Sequence, residues 1–166
     1  PGGSWEVDKM DVVASNAARL LELARTKGQL VIHIRHEAGS DKALFFRPGT
    51  NGAKINPVVK PLDTEAVVLK HRPNSFHETD LLDRLRDAGI LNVTICGAMT
   101  QMCIDATTRA AVDYGFKTIL VSDACGAKGG PFNGVDLPAE VVQAAFLAPL
   151  AMSYAKVVTT QDALAL

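Results

Sequence analysis

The chain has 166 residues, 48% of them hydrophobic, three cysteines and a formal net charge of −1. That length and apolar content suit one domain, residues 1–166, built on one core. The small net charge gives no broad field for nucleic acid or an anionic membrane surface, and no apolar run approaches the roughly 18 residues that cross a bilayer. The odd cysteine count, without a C-x-x-C pair, argues against a disulfide framework or a structural zinc site and makes a reducing cytoplasm the expected compartment. No secretory leader is read at the N-terminus.

In chain order, "PGGSWEV" (1–7) reads as a turn, and "KMDVVASNAARLLELARTKG" (9–28) has the apolar spacing of a helix. "QLVIHI" (29–34) is β-branched and reads as a strand, followed by an irregular stretch over 37–65 whose "FFRPGTNGAKINP" is a long loop. "AVVLK" (66–70), "NVTICG" (92–97), "KTILVS" (117–122) and "KVVTT" (156–160) read as further strands. Helical spacing returns in 76–89, 100–115 and 138–154, with Gly28, Gly89 and Gly115 where helix C-terminal caps belong. "GAKGGPFNG" (126–134) lacks the order of a phosphate loop and reads as a surface loop or a lip over a crevice.

Nearly continuous apolar strands separated by helices predict a parallel sheet covered on both faces, hence a single doubly wound, Rossmann-like α/β domain. Such a domain normally opens with a strand that feeds its first helix. This sequence goes from a turn into a helix, so the expectation is a further strand upstream of Pro1.

In a sheet of this kind, sites form beyond the carboxyl ends of the strands. Cys103 falls there, in the expected first turn of the helix that follows strand 92–97, after a tight turn at Gly97 and with Thr100 as a candidate N-cap. Unpaired N–H groups and the positive end of the helix dipole favour a thiolate and can hold an oxyanion. By position alone, a buried structural cysteine is an equal alternative. Cys96 lies inside a strand and reads as core, while Cys125 is the second candidate nucleophile. Lys70 closes its strand, where an ammonium can lower a neighbouring thiol's pKa, although a solvated strand-ending lysine is the commoner case.

The segment 67–127 carries a strand-ending Lys70, then Ser75-Phe76 and Thr79-x-Leu81, then Gly97-x-x-Thr100-x-x-Cys103, then Gly115-Phe116 and Asp123-Ala124. In order and spacing these residues resemble the isochorismatase-like cysteine hydrolase family, which includes nicotinamidases and carbamoylsarcosine amidohydrolases. The Pro-Gly-Gly start resembles the family's turn after its first strand. The resemblance implies a hydrolase with Cys103 as nucleophile, Lys70 as its charged partner, and an aspartate base on a strand ahead of Pro1. Asp8 lies on the wrong side of the turn for that part. It also implies a cis peptide between Ala98 and Met99, with the Met99 and Cys103 N–H groups facing an oxyanion.

Nicotinamidases hold a metal through an Asp-x-His pair and a further histidine; residue 31 is Val, so His33 does not complete that pair, and neither metal nor cofactor is expected. His36 is expected as a polar group at the pocket mouth, with Trp5, Phe46, Phe76, Phe45 and Met99 as apolar walls; His71 and His77 read as surface or wall residues. A cysteine nucleophile favours cleavage of an amide-type C–N bond of a small molecule through a thioester. A related hydrolase acting on a non-amide bond, or a non-catalytic binding protein on the same fold, are the alternatives. Family members are commonly dimers or tetramers, so the resemblance implies a homodimer or homotetramer.

Overall fold

The computed structural model describes residues 5–166; the Pro-Gly-Gly expected in the opening turn lies outside them. Helix α1 (Met10–Thr26) comes first, followed by β1 (Ile32–His36), two single 3-10 turns in the irregular stretch, and β2 (Ala66–Lys70). After α2 (Leu81–Asp87) and β3 (Asn92–Ala98), a π turn (Thr100–Ile104) leads into α3 (Asp105–Asp113). The chain continues through β4 (Lys117–Gly126), a hairpin of β5 (Gly130–Phe132) and β6 (Val135–Leu137), α4 (Ala139–Ser153), β7 (Lys156–Val158) and α5 (Thr160–Leu164). Gly28, Gly89 and Gly115 follow the ends of α1, α2 and α3 with positive φ, as expected of C-terminal caps.

All five long apolar runs are parallel strands, and the fold is α/β. They form two hydrogen-bonded sections, β1–β2 and β3–β4–β7, rather than one continuous ladder. Side chains join the sections: Ile32 and Ile34 of β1 and Val93 and Ile95 of β3 pack on the same core of Val68, Phe76, Leu81, Leu85, Ala111 and Phe116. A second core of Ile104, Leu120, Cys125 and Leu150 sits under α4. On the α1 side, Glu65 accepts from Arg25 at 2.7 and 2.8 Å and lies 2.9 Å from His33 Nε2. The Arg25 guanidinium is the main reason its carboxyl titrates at about 2.

Two expectations need correction. The glycine-rich stretch 126–134 is not a plain loop, because β5 and β6 pair antiparallel across Asn133-Gly134, both with positive φ. Asn-Gly supplies the left-handed conformations that a two-residue hairpin needs. Strand β4 also runs four residues past its expected end at Ser122. Its pairing with β3 slips there: Ile95 faces Leu120, but Gly97 faces Cys125. Gln143 of α4 covers that irregularity by donating to the carbonyls of Ser122 and Cys125, both at 3.0 Å. No described helix is long and apolar enough to cross a membrane.

Candidate active site

The carboxyl ends of β1, β2 and β3 bring His36, Lys70 and Cys103 together. Register aligns His36 with Lys70 at the last step of the β1–β2 ladder. The Cys103 Sγ lies 3.9 Å from His36 Nδ1, within reach of a sulfur hydrogen bond. The thiol is half-buried rather than sealed in the core.

Lys70 is not a solvated strand end. It is 3% exposed, and its ammonium donates to the carbonyls of Arg72 at 2.9 Å and Pro73 at 2.7 Å. Both acceptors are neutral carbonyls, so no carboxylate pairs with this ammonium among the described residues. Burial first, and then the Lys70 charge, pull the His36 pKa below its ordinary 6.5, and a hydrogen bond with the His71 backbone opposes them in part. Burial and the Lys70 charge both disfavour the imidazolium form of His36.

The local chain explains how Cys103 is presented. Gly97 has φ +132°, a conformation that side-chain-bearing residues rarely adopt. The next peptide, Ala98–Met99, is cis. The first turn is then a π turn in which the Met99 carbonyl accepts from the N–H groups of Met102 and Ile104, at 3.1 and 3.2 Å. Thr100 does not cap this turn, contrary to expectation. The preceding Met99 holds the extended cap position, and Thr100 Oγ1 donates to Gln143 Oε1 at 2.6 Å.

The remaining residues of the sequence pattern serve as supports. Ser75 N–H donates to Thr107 Oγ1 at 3.0 Å, the two hydroxyls lie 2.9 Å apart, and Thr79 Oγ1 donates to the Ser75 carbonyl at 2.6 Å. These bonds fix the loop whose carbonyls hold Lys70 to the helix that carries Cys103. Asp123 Oδ1 accepts from the N–H and hydroxyl of Thr160 at 2.6 and 2.7 Å, fastening α5 to β4.

Of the expected pocket residues, His36 is at the thiol and Phe46 lies against His36. Their rings stack at 4.9 Å, Phe46 meets Phe45 edge-on at 5.6 Å, and Phe45 stacks on the half-exposed Trp5 at 4.4 Å. An aromatic row thus leads from the surface to the imidazole. Phe76 is not part of it: the ring is buried against Phe116 and Tyr114, because its loop turns it into the core. Asp8 stays at the surface beside Lys9. His71 Nδ1 lies 2.9 Å from the Glu37 carbonyl at the site's edge, and His77 is exposed near Glu78. Among the described residues, no three His, Cys, Asp or Glu side chains converge as a metal site requires.

Cys125, the second candidate, is 3% exposed and its thiol is pushed far up by burial. Burial pushes the Cys96 thiol up to about 11. A hollow of about 350 Å³ between α1, β4 and α4 borders Cys125, Gln143 and Leu147 rather than Cys103. Sequence reasoning missed Thr107 and Gln143. Gln143 left a trace, as the lone polar residue amid the apolar "VVQAAFLAPLA".

Residues 1–162 match the isochorismatase domain. The chain belongs to the isochorismatase family. It is 41% identical to the isochorismatase family protein YddQ of Bacillus subtilis, over 97% of this chain and 89% of that protein. It is 30% identical to maleamate amidohydrolase of Pseudomonas putida, over 99% of this chain and 78% of that enzyme. The crystal structure of an isochorismatase from Pseudomonas putida superposes with a TM-score of 0.91 at 33% identity, covering 97% of this chain and 82% of the other. This isochorismatase-family chain is thus a member of a hydrolase family with amidohydrolase relatives.

Proposed function

We propose that this chain hydrolyses an amide-type C–N bond of a small molecule through a thioester on Cys103. The observation that carries the reading is the half-buried Cys103 thiol in contact with the His36 imidazole, which is in register with the buried Lys70. Similarity to an enzyme named maleamate amidohydrolase supports the amide as the bond broken.

In this mechanism the Lys70 charge favours the thiolate. The sulfur attacks the carbonyl carbon, and the N–H groups of Met99 and Cys103 receive the oxyanion. The tetrahedral adduct collapses, the C–N bond breaks, and the nitrogen leaves with a proton as ammonia or an amine. Water then attacks the thioester, the C–S bond breaks, and a carboxylic acid departs. The aromatic row from Trp5 to Phe46 lines the approach for the acyl part of the substrate. The aspartate base that the resemblance implies ahead of Pro1 would take the thiol proton and pass it to the departing nitrogen.

The test is ammonia release across a panel of small primary amides, with the protein and its Cys103→Ala variant. Release that disappears in the variant supports the proposal. Equal release from both overturns it.

A further inference from the structure

We propose that Gln143 of α4 is a positioning residue for Cys103. Through Thr100 it fixes the turn 100–104, and with it the set of the thiol against that turn's N–H groups. The proposal rests on the reading of Cys103 as nucleophile and names what holds that nucleophile in place.

Gln143 stands among Val141, Val142, Ala144, Ala145 and Phe146 of α4. A side-chain amide in such company costs free energy unless its hydrogen bonds are made. Here three are made. Nε2 donates to the carbonyls of Ser122 and Cys125, both at 3.0 Å, and Oε1 accepts from Thr100 Oγ1 at 2.6 Å. Chemistry decides which way round the amide sits. Two carbonyls can only accept, so the NH2 group must face them and the oxygen must face Thr100. The Thr100 hydroxyl is therefore the donor, and Thr100 is 0% exposed.

The two ends of this bridge give Gln143 its role. Ser122 falls in the stretch of β4 that β3 does not pair, and Cys125 is where pairing resumes opposite Gly97. Thr100 opens the π turn that carries Cys103. Gln143 so ties the start of the nucleophile's turn to the irregular step of the neighbouring strand. The next residue adds a second tie. Gln101 Nε2 donates to the Lys128 carbonyl at 2.8 Å, and its Oε1 accepts from the Lys128 N–H at 3.4 Å, just past the end of β4. Two consecutive side chains of the turn are thus anchored to β4 and its exit, and Cys103 follows at once.

N–H groups at a helix start favour a thiolate only while they stay aimed at it. The same holds for an oxyanion at Met99 and Cys103. Without the Thr100–Gln143 bond, Gln143 Oε1 loses its donor, and of the two ties only Gln101 remains. A small misplacement at reacting groups is enough to slow them.

The test is alkylation of Cys103 by iodoacetamide, with the modified residue located by mass spectrometry. The variants are Thr100→Val, Thr100→Ser, Gln143→Met and the double variant Thr100→Val with Gln143→Met. Thr100→Val keeps both Gln143 bonds to β4, so it reads the link without loosening the strand. At pH 7, Thr100→Val and Gln143→Met should each label about fivefold more slowly than the parent protein. The double variant should be no slower than the slower single, because the two residues act through one bond. Thr100→Ser restores the hydroxyl and should match the parent. At about pH 10, where thiols are ionised in any setting, all rates should converge. Glu65→Gln, which weakens the fold on the opposite side of β1, should label at the parent rate. Unchanged or faster labelling in Thr100→Val, no recovery in Thr100→Ser, additive losses, or a deficit that persists at about pH 10 overturns the proposal. Labelling needs no substrate, so a parent protein that releases no ammonia but shows this pattern loses the amide reading and keeps the brace.

Discussion

Two thiols stand at the carboxyl edge of neighbouring strands, and their surroundings separate them. Cys125 is opposite Gly97 in the β3–β4 ladder and packs with Ile104, Leu120 and Leu150; its own backbone carbonyl is tied to Gln143. Cys103 comes six residues after Gly97, on a turn that lifts it off the sheet to face His36. Burial above all governs the first, with the neighbouring Cys96 adding to it, and pushes its titration far up. The second has an imidazole within hydrogen-bond reach and a buried ammonium behind it. Position at the strand ends is common to both, so it does not separate them, and their polar partners do.

The sharpest way to break this contrast is to delete each thiol. Cys103→Ala is expected to lower amide hydrolysis by about 1,000-fold or more, as removal of a covalent nucleophile does. Cys125→Ala should leave turnover unchanged and lower the melting temperature, at a cost of about 1 kcal/mol for the small void left beside Leu120 and Leu150. Turnover lost in Cys125→Ala and kept in Cys103→Ala would invert the assignment.

Lys70 comes next. Lys70→Met leaves the carbonyls of Arg72 and Pro73 without their donor, and the expected loss is about 2–3 kcal/mol in denaturant unfolding. Iodoacetamide should also label Cys103 about tenfold more slowly at pH 7. Unchanged labelling in a folded variant would show that the ammonium does not act on the thiol.

A smaller effect should come from the opposite side of β1, where the charges are structural. Glu65→Gln removes the carboxylate that serves Arg25 and His33, and urea melts should show about 2 kcal/mol lost. Its folded-state titration lies below the ordinary 4.5, at about 2. The group therefore stabilises the fold fully above pH 4.5, and that share is lost as pH falls toward 2. The parent protein should lose stability through that window and Glu65→Gln should not lose this share; parallel curves would contradict the assignment.

The smallest effect is expected at Thr107. Thr107→Val keeps the shape but strips the hydroxyl that Ser75 uses twice, and about 1 kcal/mol of stability should go. Because that hydroxyl links the Lys70 loop to α3, turnover should fall by several-fold while stability falls little. A variant with unaltered turnover would reduce the link to packing.

The parallel strands were legible because runs such as "AVVLK" and "KTILVS" are β-branched and nearly all apolar, and little else can form from them. The hairpin at 130–137 reads as a loop in the sequence: Asn133-Gly134 carries its turn signal, but the surrounding glycines obscure it. The overrun of β4 was not, because "DACG" carries no strand signal and is held by tertiary partners such as Gln143. Residue type and position make Cys103 and Lys70 candidates only, and it is the family resemblance that chooses them over the structural alternatives. Lys70's burial could not, since its partners are backbone carbonyls, which every sequence has. The Cys103–His36 contact joins residues 67 apart through the packing of two sheet sections, and no local pattern encodes it. Phe76 misled for the same reason: an aromatic side chain looks alike in a pocket wall and in a core.

The most direct test of the account is residue-resolved labelling of the native protein with a sub-stoichiometric thiol reagent at pH 7. The account predicts modification at Cys103 alone, with Cys96 and Cys125 reacting only after denaturation. Prior or equal modification of Cys125, or a Cys103 that reacts no faster than the two buried thiols, would contradict it.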